Sequence, residues 1–401
     1  MSSAGHRDTD VKSFRHVLVC HPGSELYGSD RMVLESVAAL HGAGCTVTVT
    51  VPELGPLVEV VEATGARVVV LPVPVLRKAH LSPRGLLHLA GDVVRRFPAM
   101  LRLVRGTRSD LVYVNTVTLP LWLLAARVGR RPAVCHVHEA EDGLPPLVAR
   151  CLSAPLLLAR TVIVNSDSAR AGLVAALPAL RSRAQLVYNG VAGPPGPVAR
   201  PRELLAGQAR LVLVGRLSPR KGTDVAVAAV HLLRDRGRDV RLDLVGAAFP
   251  GYEWFVDDLR RQVHDAGLDE HVRFLGFTSD VWPALAAADV VLVPSRVEPF
   301  GNVAVEAALA DRPVVASRVQ GLREIVTDGA TGVLVEPGSP LALAEAVSGL
   351  LDDWPGARRL AELAHAEARR RFSAEQYAGT LLPLLEETLK PRAVVRTADG
   401  P

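Results

Sequence analysis

The sequence predicts an α/β protein of two Rossmann-like halves, each a parallel sheet with helices on both faces. Three observations carry that prediction. Short, valine- and leucine-rich runs alternate with segments of helical periodicity, first over residues 16–188 and again over 210–335. Between the two series lies Gly193-Pro194-Pro195-Gly196-Pro197, followed by Ala199-Arg200-Pro201, which can be neither strand nor helix. The first strand of each series also runs into a glycine-bearing loop ahead of a helix, as nucleotide-type βαβ units do.

In the first half, residues 16–20 are apolar and form the opening strand. The loop from His21 to Asp30 carries Gly23 and Gly28, spaced too widely for G-x-G-x-x-G. A helix is expected over 31–42, with Met32, Val33, Val37, Ala38 and Leu40 on its apolar side. Further strands are expected at 45–51, 67–71, 111–114, 133–137, 161–164 and 185–188, with helical segments between most of them. Ser166 or Asp167 is a natural cap for the helix after the sixth strand. Tyr188-Asn189-Gly190-Val191 reads as a turn ahead of the connection.

The second half repeats the pattern. Strands are expected at 210–214, 240–245, 272–274, 289–293, 313–316 and 332–335, helices over 222–236 and 252–266, and closing helices after Ser339, Pro355 and Ser373. The resulting partition is a tail (1–13), a first domain (14–192), a linker (193–206), a second domain (207–372), a helix returning to the first domain (373–391) and a tail (392–401).

Composition excludes several classes. With 49% hydrophobic residues over 401 positions the chain buries sizeable cores, and a net charge of +4 does not by itself imply a nucleic-acid partner. Cys20, Cys45, Cys135 and Cys151 are scattered without C-x-x-C or zinc spacing, which points to a reducing cytoplasm. Residues 1–12 lack the apolar core of a signal peptide, and no apolar run reaches membrane-spanning length. Asp8-Thr9-Asp10 is a chance D-x-D in the tail, and no metal is expected because Arg216, Lys221 and a helix start supply positive field.

The chemistry concentrates in Ser295-Arg296-Val297-Glu298-Pro299-Phe300-Gly301-Asn302-Val303-Ala304-Val305-Glu306. A strand closed by Pro294 precedes it, and residues 302–309 have helical composition, with Asn302 a fair N-cap. Free amides at a helix start behind a glycine suit an anion. Glu298 and Glu306 on either side can accept hydroxyl hydrogen bonds from polyols. Donor amides for a diphosphate, flanked by acceptors for two sugars, fit the parts of a nucleotide-sugar. In the second glycine loop, Gly215-Arg216-Leu217-Ser218-Pro219-Arg220-Lys221-Gly222, two cations near a helix start likewise make a diphosphate pocket. Taken alone, each motif is better read blandly: Glu298 and Glu306 as a surface residue and a helix-capping charge, Arg216 and Lys221 as a solvated basic loop.

Four stretches together resemble the family-four retaining glycosyltransferases: Gly28-Ser29-Asp30-Arg31, His136-Val137-His138-Glu139, the loop from Gly215 to Gly222, and Glu298-Pro299-Phe300-Gly301 through Glu306. The resemblance covers residues 15–389. It implies the GT-B fold, two facing Rossmann domains with the nucleotide-sugar between them. It also implies that Arg216 and Lys221 hold the donor diphosphate, that Glu306 binds the ribose, and that Glu298 lies beside the sugar hydroxyls. Phe300 and the amides of Gly301, Asn302 and Val303 belong to the donor site, and Gly28 to a loop closing over the diphosphate. Tyr27 stands where this family usually has a first glycine. His136 and His138 alternate on one strand; His138, nearer its C-terminal end, is the histidine expected against the donor sugar.

The resemblance implies transfer of a sugar from a nucleoside diphosphate donor, UDP above all, to an acceptor hydroxyl in bacterial glycan, glycolipid or glycosylated natural-product synthesis, with retention and without cofactor or metal. A sugar-nucleotide epimerase of the same fold and a non-catalytic nucleotide-sugar-binding protein are the alternatives. The absence of G-x-G-x-x-G disfavours a dehydrogenase. The acceptor is not legible. Residues 77–108 interleave Arg77, Lys78, Arg84, Arg95, Arg96, Arg102, Arg105 and Arg108 with apolar positions. Two readings stand: a basic amphipathic helix on the inner face of the membrane, or a surface helix with its arginines in water.

Overall fold

The computed structural model describes residues 15–26, 28–76, 83–139, 145–197, 199–249 and 251–390. The first sheet alternates β1 (His16–Cys20), α1 (Gly28–Gly42), β2 (Thr46–Val51), α2 (Pro56–Ala63), β3 (Arg67–Val70), α3 (Pro83–Gly106), β4 (Leu111–Val114), α4 (Pro120–Val128), β5 (Ala133–Val137), α5 (Pro146–Ser153), β6 (Thr161–Val164), α6 (Asp167–Ala176) and β7 (Ala184–Leu186). Its strand order is β3-β2-β1-β4-β5-β6-β7. The second follows with β8 (Ala209–Val214), α7 (Thr223–Asp235), β9 (Val240–Val245), α8 (Glu253–Asp265), β10 (Val272–Gly276), α9 (Trp282–Ala287), β11 (Val290–Val293), α10 (Asn302–Leu309), β12 (Val314–Ser317), α11 (Leu322–Ile325) and β13 (Val333–Val335). Its order is β10-β9-β8-β11-β12-β13. Helices α12 (Pro340–Asp352), α13 (Trp354–Arg371) and α14 (Ala374–Leu389) complete the chain.

The pairings β1–β2, β1–β4, β8–β9 and β8–β11 are parallel. Both sheets reverse their winding beside the first strand of the series, β1 in one and β8 in the other. Such a reversal parts the loops at the strands' C-terminal ends and opens a crevice there. The central strands carry side chains buried on both faces: Val17, Leu18, Val19 and Cys20 in β1, and Leu211, Val212, Leu213 and Val214 in β8. That double burial is why they read as unbroken apolar runs rather than as alternation.

The chain divides into two compact units, 1–137 with 151–163 and 378–401, and 138–150 with 164–377. In the first, the end of α14 is tied down by Arg160 Nη1, which donates to Thr388 O at 3.1 Å, and by the Thr161 and Thr388 hydroxyls at 2.7 Å. In the second, the stretch after residue 198 is fastened to its core. Arg202 Nε donates to Asp289 Oδ1 at 2.8 Å, and Trp354 Nε1 donates to Arg202 O at 2.7 Å. Arg312, 1% exposed, spends its guanidinium on the carbonyls of Ala310, Asp311, Ala199 and Ala286. A buried cation is tolerated there because its donors meet carbonyl dipoles.

Most strand limits fall within a residue or two of expectation. Helix α1 begins at Gly28, three residues before the expected Arg31, and carries Asp30 in its first turn. Ser166 caps α6, its Oγ accepting from Ala169 N at 3.1 Å. Cys20, Cys45 and Cys135 are buried, Cys151 is exposed, and none is in a disulfide.

Candidate functional site

In the second unit the winding reverses between β8 and β11, so the loops leaving those strands define the crevice. After β8, Gly215 takes φ 143° and its N–H donates to Val245 O at 2.9 Å. Gly246, at φ 145°, lies so close that a Cβ there would stand 1.9 Å from Gly215 O. A 3-10 turn, Pro219–Lys221, leads to Gly222, left-handed at φ 67°, which precedes α7. A Cβ on Gly222 would stand 2.0 Å from Pro294 O, at the end of the neighbouring strand. The glycines therefore let the Lys221 loop lie directly on the β11 loop.

That contact is locked by Arg296. Its Nη1 and Nη2 donate to Asp224 Oδ1 and Oδ2 at 2.8 and 2.6 Å, and Nη1 also donates to Pro219 O at 2.6 Å. Its backbone N–H donates to Arg220 O at 2.8 Å. A planar guanidinium suits this two-point grip. Beneath it, Lys221 Nζ donates to Glu298 Oε2 at 2.5 Å, and Ser295 Oγ donates to the same oxygen at 3.0 Å. Glu298 is only 7% exposed. Burial is the largest single influence on its carboxyl and pushes its pKa up. The charges of Lys221 and Arg220, with the hydrogen bonds from Lys221 and Ser295, outweigh it and leave the pKa below the ordinary carboxylate value. The carboxylate is ionised at neutral pH, with Oε2 engaged by both donors. The Glu298 backbone is gripped as well: its N–H donates to Gln320 Oε1 at 2.8 Å, and Gly321 N donates to its carbonyl at 3.1 Å.

Helix α10 starts behind Gly301, which is the N-cap at φ 118° and ψ 54°. Asn302, expected as the cap, is instead the first helical residue. The φ of 118° favours glycine at the cap whatever the space, and an added Cβ would also press on the Leu322 side chain, whose Cδ2 would lie 2.5 Å away. The Asn302 side chain accepts at Oδ1 from Asn189 Nδ2, 2.9 Å away. Ala304 N donates to Gly301 O at 2.9 Å, so the helix start presents the amides ahead of it, Asn302 and Val303, and the helix dipole adds positive potential there. Glu306, one turn on, is 5% exposed. The ring of Phe300, expected in the donor site, is 2% exposed and packs against Phe372 and Tyr188 with centroids 5.6 and 6.1 Å apart. It anchors the loop. Across the β8 loop, the Arg216 guanidinium carbon lies 4.9 Å above the Phe249 ring.

The remaining expected residues lie elsewhere. Gly28 opens α1 in the first unit, at that sheet's own reversal. Beside it, buried His21 bonds Asp30 Oδ1 at 2.7 Å through Nε2 and Asn115 Nδ2 at 3.0 Å through Nδ1. His136 is a core residue, its Nδ1 2.6 Å from the Tyr113 hydroxyl. His138 lies just past the end of β5, half-buried, and its N–H donates to Glu139 Oε2 at 3.0 Å. Lys221 and Glu298 are thus brought into direct contact. Asp224, Gln320 and Asn189 were not anticipated as partners of this site. Only their positions in space mark them, since they lie 72, 22 and 113 residues from Arg296, Glu298 and Asn302.

Two family models match: Glycosyltransferase Family 4 over residues 27–192 and Glycosyl transferases group 1 over residues 208–353. D-inositol 3-phosphate glycosyltransferase 1 of Catenulispora acidiphila is 30% identical over 383 residues, 88% of this chain and 88% of that protein. The chain belongs to the family-four glycosyltransferases. As in other members, its two parallel sheets form a GT-B fold: the crystal structure of Anabaena HepE in complex with UDP-glucose superposes with a TM-score of 0.78 at 26% identity, over 93% of this chain and 99% of that one. The D-inositol 3-phosphate glycosyltransferase of Corynebacterium glutamicum is 38% identical over 182 residues, 45% of this chain and 43% of that protein, so this match spans less than half of that relative's length.

Proposed function

We propose that this family-four glycosyltransferase moves a sugar from a nucleoside diphosphate sugar, with UDP as the nucleotide, to an acceptor hydroxyl, with retention at the anomeric carbon. The observation that carries the reading is the Lys221–Glu298 pair, with Glu298 buried and Lys221 partly so, beside the start of α10, at the winding reversal of the second sheet. Lys221, Arg216 and the amides of Gly301, Asn302 and Val303 would hold the diphosphate. Glu306 would accept from the ribose hydroxyls. Glu298, held through Oε2, would offer Oε1 to a hydroxyl of the donor sugar. His138 would meet the same sugar, and the Gly28 loop would close over the diphosphate. UDP is favoured because HepE, a structural neighbour, was crystallised with UDP-glucose.

In this reading the bond between the anomeric carbon and the diphosphate oxygen breaks as the acceptor oxygen bonds to the same face. The acceptor's proton leaves on the released phosphate oxygen. Fixed cations and helix-start amides stabilise the charge developing there, an effect worth several kcal/mol in a water-poor site. Arg216, Lys221 and α10 do this work in the proposal, so no metal is assigned to it. Thermal-shift titration with nucleoside diphosphates and their sugars tests the donor. Glu306→Ala is expected to weaken nucleotide binding about tenfold, and Glu298→Ala to lower turnover by about 100-fold with a smaller change in affinity. Unchanged nucleotide affinity in Glu306→Ala means that the donor lies elsewhere. Product formed from donor without acceptor would favour the epimerase.

We place the reaction at the cytoplasmic face of the membrane, in bacterial glycan, glycolipid or natural-product assembly. The support is α3. Arg77, Lys78 and Arg84 lie outside the described residues or side chains, but Arg95, Arg102 and Arg105 are exposed, as is Val94 at 77%, while Met100 and Val104 face the core. Among the described residues no helix is long and apolar enough to cross a membrane. Sedimentation with anionic vesicles at low salt, lost at high salt, is the expected behaviour. If no lipid composition brings the protein down, the membrane assignment fails.

A further inference from the structure

We infer that Gln320 is a positioning residue that sets Glu298 for transfer, an inference resting on the donor-site reading above. Its backbone is the first sign. Among the described residues, four other than glycine have positive φ: Arg108, Arg130, Asp311 and Gln320. The first three follow the ends of α3, α4 and α10, where a left-handed residue is a common way to stop a helix. Gln320, at φ 30°, follows a strand instead, and precedes α11. Helix termination does not account for its conformation, and such strain persists where surrounding contacts determine it.

Those contacts converge on Glu298. Gln320 Oε1 accepts the Glu298 N–H at 2.8 Å, and the next residue, Gly321, donates its N–H to the Glu298 carbonyl at 3.1 Å. Both backbone polar groups of Glu298 are therefore held by one dipeptide. The approach is close: a Cβ on Gly321 would stand 2.5 Å from Phe300 Cα, Phe300 O and Pro299 O. The left-handed turn at Gln320 sits between β12 and this contact. From the opposite side, Lys221 and Ser295 fix the carboxylate at Oε2. The Glu298 turn is thus clamped from the backbone and from the side chain. Small displacements of a substrate-positioning group are costly to turnover.

Two substitutions separate the bond from the strain. Gln320→Met removes the acceptor and keeps the left-handed residue. Gln320→Gly removes the acceptor and relieves the strain, so its melting temperature should stay near wild type. Both are expected to lower kcat about tenfold or more with nucleoside diphosphate affinity held within about twofold. Both should also speed hydrogen exchange at the Glu298 amide about tenfold. Wild-type kcat in both variants, recovery in Gln320→Gly of what Gln320→Met loses, or nucleotide affinity falling in step with kcat overturns the inference. If the wild-type protein transfers sugar from no donor, the donor-site reading fails on its own. The amide exchange then decides separately whether Gln320 holds Glu298.

Discussion

Lys221→Met is expected to lower turnover about 1000-fold and to weaken nucleoside diphosphate binding about 10- to 100-fold. It should also destabilise the fold. Glu298 is buried against Lys221 Nζ at 2.5 Å, and removing one partner of a buried ion pair costs about 3 kcal/mol. The pH dependence identifies the cause. In the wild type the Glu298 pKa lies below its ordinary value, because Lys221, Arg220 and Ser295 outweigh the opposing effect of burial. Its stabilising contribution is therefore fully present above the unfolded glutamate pKa of about 4.3, and is lost as pH falls through the depressed folded value. Without Lys221, burial gains the upper hand and the folded pKa rises. The variant's stability then suffers as pH rises, and recovers as the carboxyl is protonated. The stability gap between the two proteins should narrow from pH 7 to pH 4 in urea melts. A gap independent of pH would mean that the lysine acts through packing alone.

Gly222→Ala is the second large effect. At φ 67° an alanine is strained, and its Cβ would stand 2.0 Å from Pro294 O. Gly237 supplies the control: it has φ 76°, yet nothing lies within 4 Å of an added Cβ. Gly237→Ala should cost about 1 kcal/mol, the strain by itself. Gly222→Ala should cost about 3 kcal/mol or more, and should part the Lys221 loop from the Glu298 loop, so that residual folded protein has lost transfer. Equal stability losses at the two positions, measured by thermal or urea denaturation, would show that the contact with Pro294 yields easily and does not seat the loop.

The two series of strands were legible because central parallel strands are buried on both faces, and their valines and leucines therefore run together. Leu111–Val114, Ala133–Val137 and Val240–Val245 needed nothing more. The Asn302 cap was misplaced by one residue because cap statistics favour asparagine, whereas the cap at 301 takes φ 118°, a backbone conformation that favours glycine. Which histidine packs in the core depends on Tyr113, contributed by a neighbouring strand. The site was legible in its residue types but not in its contacts. Lys221 and Glu298 are 77 residues apart, and nothing local says that β8 and β11 are neighbours. Gln320 carried no signal, since glutamine is not a turn residue and its left-handed backbone shows only in three dimensions.

The pairing of loop cations with carboxylates has a consequence at a distance. Lys221 is matched by Glu298 and Arg296 by Asp224, so each couple looks from afar like a dipole, whose potential dies away faster than that of a lone charge. Each such couple can act strongly within a few ångströms while adding little to the field farther out. Long polyanions such as nucleic acids are recruited by far-reaching fields, and here those two cations contribute little to any such field. On the proposed reading, a compact phosphate ester with hydroxyls to offer the carboxylates would be recognised only once it had arrived.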